Sequence, residues 1–327
     1  MIPKLGYLCL CENPTAEEGR ALIRQFVLVR EADRMGYDDI WIGEHHFDRT
    51  WPGAGISALL GHLTGVTSKA RIGSMALMPA LRDPIQLAEE VATLDLLSKG
   101  RFEFGVASGA AFKSTLHAHG LARPNAQARL RETMALVEAL LKGEPVGAQG
   151  PHHHFPPVTL MPLPQQPKLP IWVASEDETT LQHAARQGWG LLAAATHTAE
   201  RVQTARATYM QASGGVAPPL VLARFGCAAA TREDAEAIAR PYFEHLVQRA
   251  PAQGWGGDPQ RSIARSVDAL IAHSLVGSYA EVARQFGTLG DTFGATRVAI
   301  VPTSAQFDTH KHILADFVDE VRPLLED

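Results

Sequence analysis

The chain predicts an α/β fold of the TIM (β/α)8 barrel type with insertions. Three observations carry that prediction. Apolar strand patterns alternate with amphipathic helix patterns through eight units of the 327 residues, about the usual barrel length of ~250 residues plus insertions. The first strand runs into Cys11-Glu12-Asn13-Pro14, not the glycine-rich turn that an open doubly wound sheet carries there. The second strand pattern, Ile40-Trp41-Ile42-Gly43, ends abruptly in Glu44-His45-His46, and barrels collect catalytic side chains at the C-terminal ends of their strands.

Each element follows from local signals. Leu5–Leu10 is a first apolar strand. Thr15-Ala16-Glu17-Glu18 reads as a capping box for a helix through Leu22, Phe26 and Val27, stopped by Gly36. Arg71–Met78 is the third strand. Asp83-Pro84 opens a helix through Leu94 that Gly100 ends. Phe102–Ala107 is the fourth strand, and Ala128–Leu141 an amphipathic helix. The Pro-, Gly-, Gln- and His-rich excursion Gly143–Pro170 breaks the rhythm and has room for a small hairpin. Strands at Pro170–Ala174, Leu191–Ala195 and Leu220–Cys227 then alternate with helices at Thr179–Arg186, Thr198–Ala212 and Thr231–Arg249. Ala250–Ser266, with Gly254, Gly256 and Gly257, reads as a mobile loop. Ser278-Tyr279-Ala280-Glu281 caps a further helix, Thr296–Val301 is the last strand and His310–Leu325 the closing helix. Residues 1–327 are thus expected to form one barrel domain.

Composition bounds the function. An apolar fraction of 46% and a charged fraction of 20% are those of a soluble globular chain. The net charge of −5 and the lack of a basic run argue against nucleic acid as a partner. No apolar run reaches the roughly 18–20 residues of a membrane helix, and no signal peptide is evident. Cys9, Cys11 and Cys227 make no disulfide framework. These features lead us to expect a cytoplasmic protein.

On a strand, alternation puts Glu44 and His46 on one face and His45 on the other, so the two histidines have different tasks. Glu44 either orients His45 or closes a strand-end hydrogen bond. His152-His153-His154 reads as a solvated loop, since adjacent histidines do not converge easily on one ion and no partner lies at ligand spacing; we expect no metal. Cys9 and Cys11 read as small buried hydrophobes. His117 and His119 follow the fourth strand, where they would border a substrate pocket.

Glu44-His45-His46-Phe47, the stretch from Ala88 to Phe102, Pro170-Ile171-Trp172-Val173-Ala174-Ser175 and Gly277–Ala283 together resemble the bacterial luciferase-like monooxygenase family. The resemblance implies a barrel that uses reduced FMN or, in one branch, the deazaflavin F420; Glu-His-His-Phe leans toward the FMN branch. It implies that FMN reduced by a separate reductase meets O2, and that a C4a-peroxyflavin oxygenates a small organic substrate in a dry pocket. His45 matches the position of the base, a role suited to an imidazole. His46 matches a position near a subunit interface, with Glu89 of a second copy as partner. Ser175 and Thr179 match the phosphate site at a helix start, although Glu176, Asp177 and Glu178 load the same turn with acid. An arginine after the fourth strand is replaced by Ser108 in Ala107-Ser108-Gly109, which implies weaker FMN binding, a substitute cation among Arg101, Lys113 and Arg186, or another flavin. Ser74 and Met75 match a segment with a non-proline cis peptide under the flavin ring. Ala107 and Ala174 complete the expected flavin contacts. The family also implies a homodimer with the Pro84–Ser98 helix at its interface.

Overall fold

The computed structural model describes residues 2–15, 17–253 and 263–326. Eight parallel strands close into a ring, in the order β1 (Lys4–Cys9), β2 (Asp39–Ile42), β3 (Arg71–Ser74), β4 (Phe102–Ala107), β7 (Ile171–Ala174), β8 (Gly190–Ala193), β9 (Leu220–Ala229) and β11 (Arg297–Pro302), the last pairing back onto β1. The predicted barrel and its eight strands are therefore present. The excursion after the fourth strand holds the antiparallel hairpin of β5 (Val146–Gln149) and β6 (His154–Val158). One strand was not foreseen. The second half of β9 runs on past its partners in the ring and takes β10 (Leu275–Ser278) in register from Gly226 to Ala229.

The helices are α1 (Glu18–Met35), α2 (Ile56–Val66), α3 (Pro84–Leu97), α4 (Lys113–Ala118), α5 (Arg123–Leu140), α6 (Glu178–Gln187), α7 (Ala199–Ala212), α8 (Arg232–Gln253), α9 (Val267–His273), α10 (Tyr279–Phe293), α11 (Phe307–Asp316) and α12 (Pro323–Glu326). Local chemistry explains most boundaries. The Asp83 carboxylate accepts from the backbone N–H groups of Ile85 and Gln86 at the start of α3. Ser278 and Glu281 form the reciprocal capping box of α10. Gly36 ends α1 in the left-handed region at φ +95°.

Several expectations change. The box at Thr15–Glu18 does not form, because the chain turns at Pro14-Thr15 and the helix begins after Glu17. Asn13 takes over, its side-chain oxygen accepting from the Glu17 N–H at 3.1 Å. α2, α4 and α9 escaped the sequence reading, being short or, in α2, interrupted by Gly61 and Gly65. The closing helix is α11, a π turn at Phe317–Val321 and α12. Of the loop expected at 250–266, residues 254–262 lie outside the described residues, and its flanks are the end of α8 and a 3-10 turn at Ile263–Arg265.

The N-terminal end of the barrel is plugged. The buried Glu103 carboxylate accepts from Arg71, from Arg297 at 2.9 Å and from the Trp172 indole at 2.6 Å. The Trp41 indole donates to Asp39, whose carboxyl burial pushes up to about 6 against the opposing charge of Arg297. The rings of Trp41 and Trp172 meet edge to face at 6.0 Å. They fit only because Gly73 and Gly190 lack a Cβ, which would overlap them. With the floor filled, the open space lies at the other end.

Candidate active site

The β2 strand delivers the first site residues. Beyond Ile42 the chain leaves the ring at Gly43, and Glu44, His45 and His46 follow. Glu44 is buried with both oxygens used: Oε1 bonds His46 Nε2 at 2.9 Å and Arg82 Nη2 at 2.7 Å, and Oε2 accepts from the Met78 N–H at 2.7 Å. Glu44 and His46 thus lie together in the irregular segment beyond β2, without the strand whose alternation was expected to pair them, and Glu44 does not bond His45. His45 packs its ring against Trp51 at 4.9 Å and edge-on to Phe112 at 5.6 Å. Burial pulls its pKa down to about 4, only partly opposed by the charges of Asp48 and Glu44.

A cavity of about 1050 Å³ opens at the C-terminal ends of the strands. Its wall has two characters. Around His45 it is apolar and aromatic, with Phe225, Leu10, Trp51, Phe112 and Met75; beyond the ends of β4, β7 and β8 it gathers the cations Lys113, Arg123 and Arg201 with His197, together with the acids Glu176 and Glu200.

Seven of the nine expected site residues line this cavity: Glu44, His45, Met75, Ala107, Ser108, Ala174 and Ser175. Ser74 does not. Its hydroxyl donates to the Gly105 carbonyl at 2.7 Å and accepts from the Gly105 N–H at 3.0 Å, which spends it inside the β3–β4 ladder. β3 ends at Ser74 and not at Met78, with Leu77 returning to bridge Val106. The cis peptide expected at Ser74–Met75 lies one residue on, between Met75 and Ala76.

Thr179 is exposed and turned away from the cavity. The start of α6 is closed by its own Asp177, which accepts from the Thr180 N–H at 2.9 Å and pairs with Arg131 at 2.7 Å. Ser175 stays on the cavity wall, its Oγ accepting from the Asp177 N–H at 3.1 Å. The acidic turn is offset by cations: Arg131 holds Asp177, and Arg201 donates to Glu176. Burial works to raise the Glu176 carboxyl, but the Arg201 bond and charge outweigh it and the pKa is lowered, with Arg123 adding to the effect.

Among the substitute cations, Lys113 lines the cavity. Arg101 is committed at the opposite end, to the Ala70 carbonyl at 2.6 Å and the Thr67 hydroxyl at 3.1 Å. Arg186, in the last turn of α6, is not on the wall. Sequence reading missed Arg123, at the first position of α5, and Arg201, in the first turn of α7. Their signal was a cation at the start of a helix that follows a barrel strand, which is the site end of the fold.

His153 is buried, bonding the Thr133 hydroxyl at 2.8 Å, while Glu132 accepts from the N–H groups of His152 and His153. The run therefore pins the hairpin to α5 and is not a fully solvated loop. Cys9 and Cys11 are buried free thiols. His117 and His119 do not border the cavity; the ring of His119 lies 5.9 Å from His46. No group of three or more metal-ligating side chains occurs among the described residues, and none of their helices is long and apolar enough to cross a membrane.

Comparison with known proteins places this arrangement. The oxygenase component of flavin-dependent trigonelline monooxygenase from Acinetobacter baylyi is 34% identical over 163 residues, 49% of this chain and 45% of that protein. An F420-dependent glucose-6-phosphate dehydrogenase from Kineococcus radiotolerans is 32% identical over 171 residues, 50% of this chain and 49% of that protein. The matched region thus spans about half the length of each curated relative. The oxygenating constituent of 3,6-diketocamphane monooxygenase from Pseudomonas putida, solved with FMN, shares the fold at a TM-score of 0.81 and 18% identity, covering 99% of both chains. The family described as luciferase-like monooxygenase matches residues 3–296, and this chain, with its closed barrel and its histidine-bearing cavity at the C-terminal mouth, belongs to that family.

Proposed function

We propose that this protein is a flavin-dependent monooxygenase that receives reduced FMN from a separate reductase and inserts one oxygen atom of O2 into a small organic substrate. The carrying observation is the two-sided cavity. Its aromatic arc around His45 suits a flat ring system and an apolar substrate, and its basic arc suits a phosphate. Ser175, Arg123 and Arg201 would hold the phosphate, with Lys113 nearby on the same wall. Of the acids near it, Asp177 and Glu176 are already paired, to Arg131 and Arg201; Glu200 also lines the cavity. The residues present therefore fit a phosphorylated flavin, even with Ser108 in place of an arginine.

Bound reduced flavin supplies the electrons that activate oxygen. The chain supplies the surroundings. Trp51, Phe112, Phe225 and Met75 keep water from the reacting end. His45, held neutral at ordinary pH by burial, would accept a proton at its imidazole and return it. Glu44 positions the Met78 backbone and Arg82 beside it.

An F420-dependent hydride transfer is the second reading, favoured by the 32% match to a dehydrogenase of that type. We also propose a homodimer through α3, whose C-terminal end leaves Leu96 and Leu97 exposed at 39% and 56%. Glu89 is exposed on the same helix. Anaerobic titration with reduced FMN, then rapid mixing with oxygenated buffer, tests the main reading. Saturable binding and a transient oxygenated-flavin absorbance support it, provided His45→Ala nearly abolishes product while leaving flavin affinity within a few-fold. Binding of F420 but not of reduced FMN overturns it in favour of the second reading.

A further inference from the structure

The basic arc contains one group that the functional reading leaves idle. His197 follows β8 and shares a wall with Ser175, Glu176 and Arg201. Its backbone is fixed from two sides: its N–H donates to the Ala194 carbonyl at 2.9 Å, and its carbonyl accepts from His273 Nε2 at 2.9 Å. Its ring is free by contrast. Neither ring nitrogen holds a hydrogen bond to a described residue, and neither is a sealed orphan. A fixed backbone carrying an unspent imidazole at a cavity wall is the geometry of a ligand contact.

Resting on the phosphorylated-flavin reading above, we propose that His197 is a contact for the cofactor's phosphate and that it takes up a proton when the phosphate binds. The charges around it account for the coupling. Without a ligand, burial holds the imidazole well below its usual range, and the Arg201 and Arg224 cations and the nearby His273 add to that; Glu176 opposes it. Glu176, however, already bonds Arg201 and is influenced by Arg123. The locality is therefore short of negative charge. A phosphate monoester, carrying nearly two negative charges above its second pKa of about 6, reverses that balance and favours the imidazolium. A neutral histidine then becomes a charge-assisted donor only when the anion is present. Flavin lacking the phosphate gives it no reason to protonate.

The experiment is anaerobic titration calorimetry at pH 7.5 with reduced FMN and with reduced riboflavin, each in two buffers of different ionisation enthalpy. At that pH the free phosphate is largely dianionic, so its own proton release is small. The unaltered protein should take up a fraction of a proton, approaching one, with FMN and none with riboflavin. His197→Gln should remove the uptake and weaken FMN by about tenfold, with riboflavin affinity unchanged. Absence of FMN-specific uptake in the unaltered protein overturns the proposal without any variant. So does uptake that persists in His197→Gln, or an equal loss for both flavins. If the unaltered protein binds FMN no more tightly than riboflavin, the basic arc is not a phosphate site, and the cofactor reading falls with the proposal. Preference for FMN that survives intact in His197→Gln overturns the role of His197 alone.

Discussion

Glu44 Oε1 lies 2.9 Å from His46 Nε2, and the same carboxylate holds Arg82 and the Met78 N–H while touching neither nitrogen of His45. Neighbours in sequence have thus separated into a scaffold pair and an isolated imidazole. Glu44→Ala should strand a cation and a buried backbone N–H, destabilising the fold by about 3 kcal/mol. His45→Ala should cost clearly less stability while removing activity. Chemical denaturation of both variants checks the ranking; equal losses would make Glu44 and His45 one unit.

Flavin affinity should follow the cavity wall and not the helix start. Thr179→Ala, at an exposed residue off the wall, should leave FMN binding unchanged. Arg123→Ala, on the wall, should weaken it about tenfold or more, as for loss of a charge-assisted phosphate contact. Fluorescence titration of reduced-flavin binding reads both, and a Thr179 variant that binds weakly would restore the α6 start as the phosphate site.

Acid should begin to destabilise this protein at a pH well above the ordinary carboxylate range. Burial, the largest cause in each case, lowers His45, His197, His273 and His310 from 6.5 to about 4. The unfolded chain therefore binds protons first as pH falls, so stability complete above 6.5 is lost between 6.5 and 4, at up to about 1.4 kcal/mol per pH unit for each histidine. His310 shows the cause plainly. Its Nδ1 donates to the Ser304 carbonyl and its Nε2 accepts from the Tyr7 hydroxyl, so a second proton has no place. Denaturation midpoints between pH 7 and 4.5 should fall steeply, and His310→Gln should flatten the slope by one proton. A flat profile over that window would refute the neutral histidines.

Glu12 works in the opposite direction. It is buried, Tyr242 donates to its Oε1, and Oε2 holds no hydrogen bond, though it lies 3.8 Å from His310 Nδ1. Burial raises its pKa to about 8, with the Tyr242 bond only partly opposing. The folded state keeps this proton where the unfolded chain has lost it, so the contribution is full below about 4.5 and is lost as pH rises through 8. Glu12→Gln should be near neutral in stability at pH 5 and stabilising at pH 9. If the variant loses stability equally at both, Glu12 is ionised in the fold.

The barrel was legible because its signals are local. Eight strands repeat an apolar pattern, Asp83 and Ser278 cap helices with their own side chains, and the Glu44-His45-His46 ending marks the site end of β2. The elements missed have weak local signals: α2 carries two glycines, α4 and α9 are short, and β10 is a four-residue strand paired only to the overhang of β9.

By itself, then, the sequence determined the fold class, the mouth at which chemistry collects, and the separation of His45 from Glu44 and His46. Tertiary structure alone decided the partners. Arg123 at the start of α5 joins His197 and Arg201, from the turn into α7, on one cavity wall only when the ring closes, while Ser74 and Thr179 drop out because one is bonded across the sheet and the other faces solvent. Periodicity is a property of neighbours along the chain; which charge offsets which acid, and which nitrogen is left free, depends on distances between residues far apart in sequence.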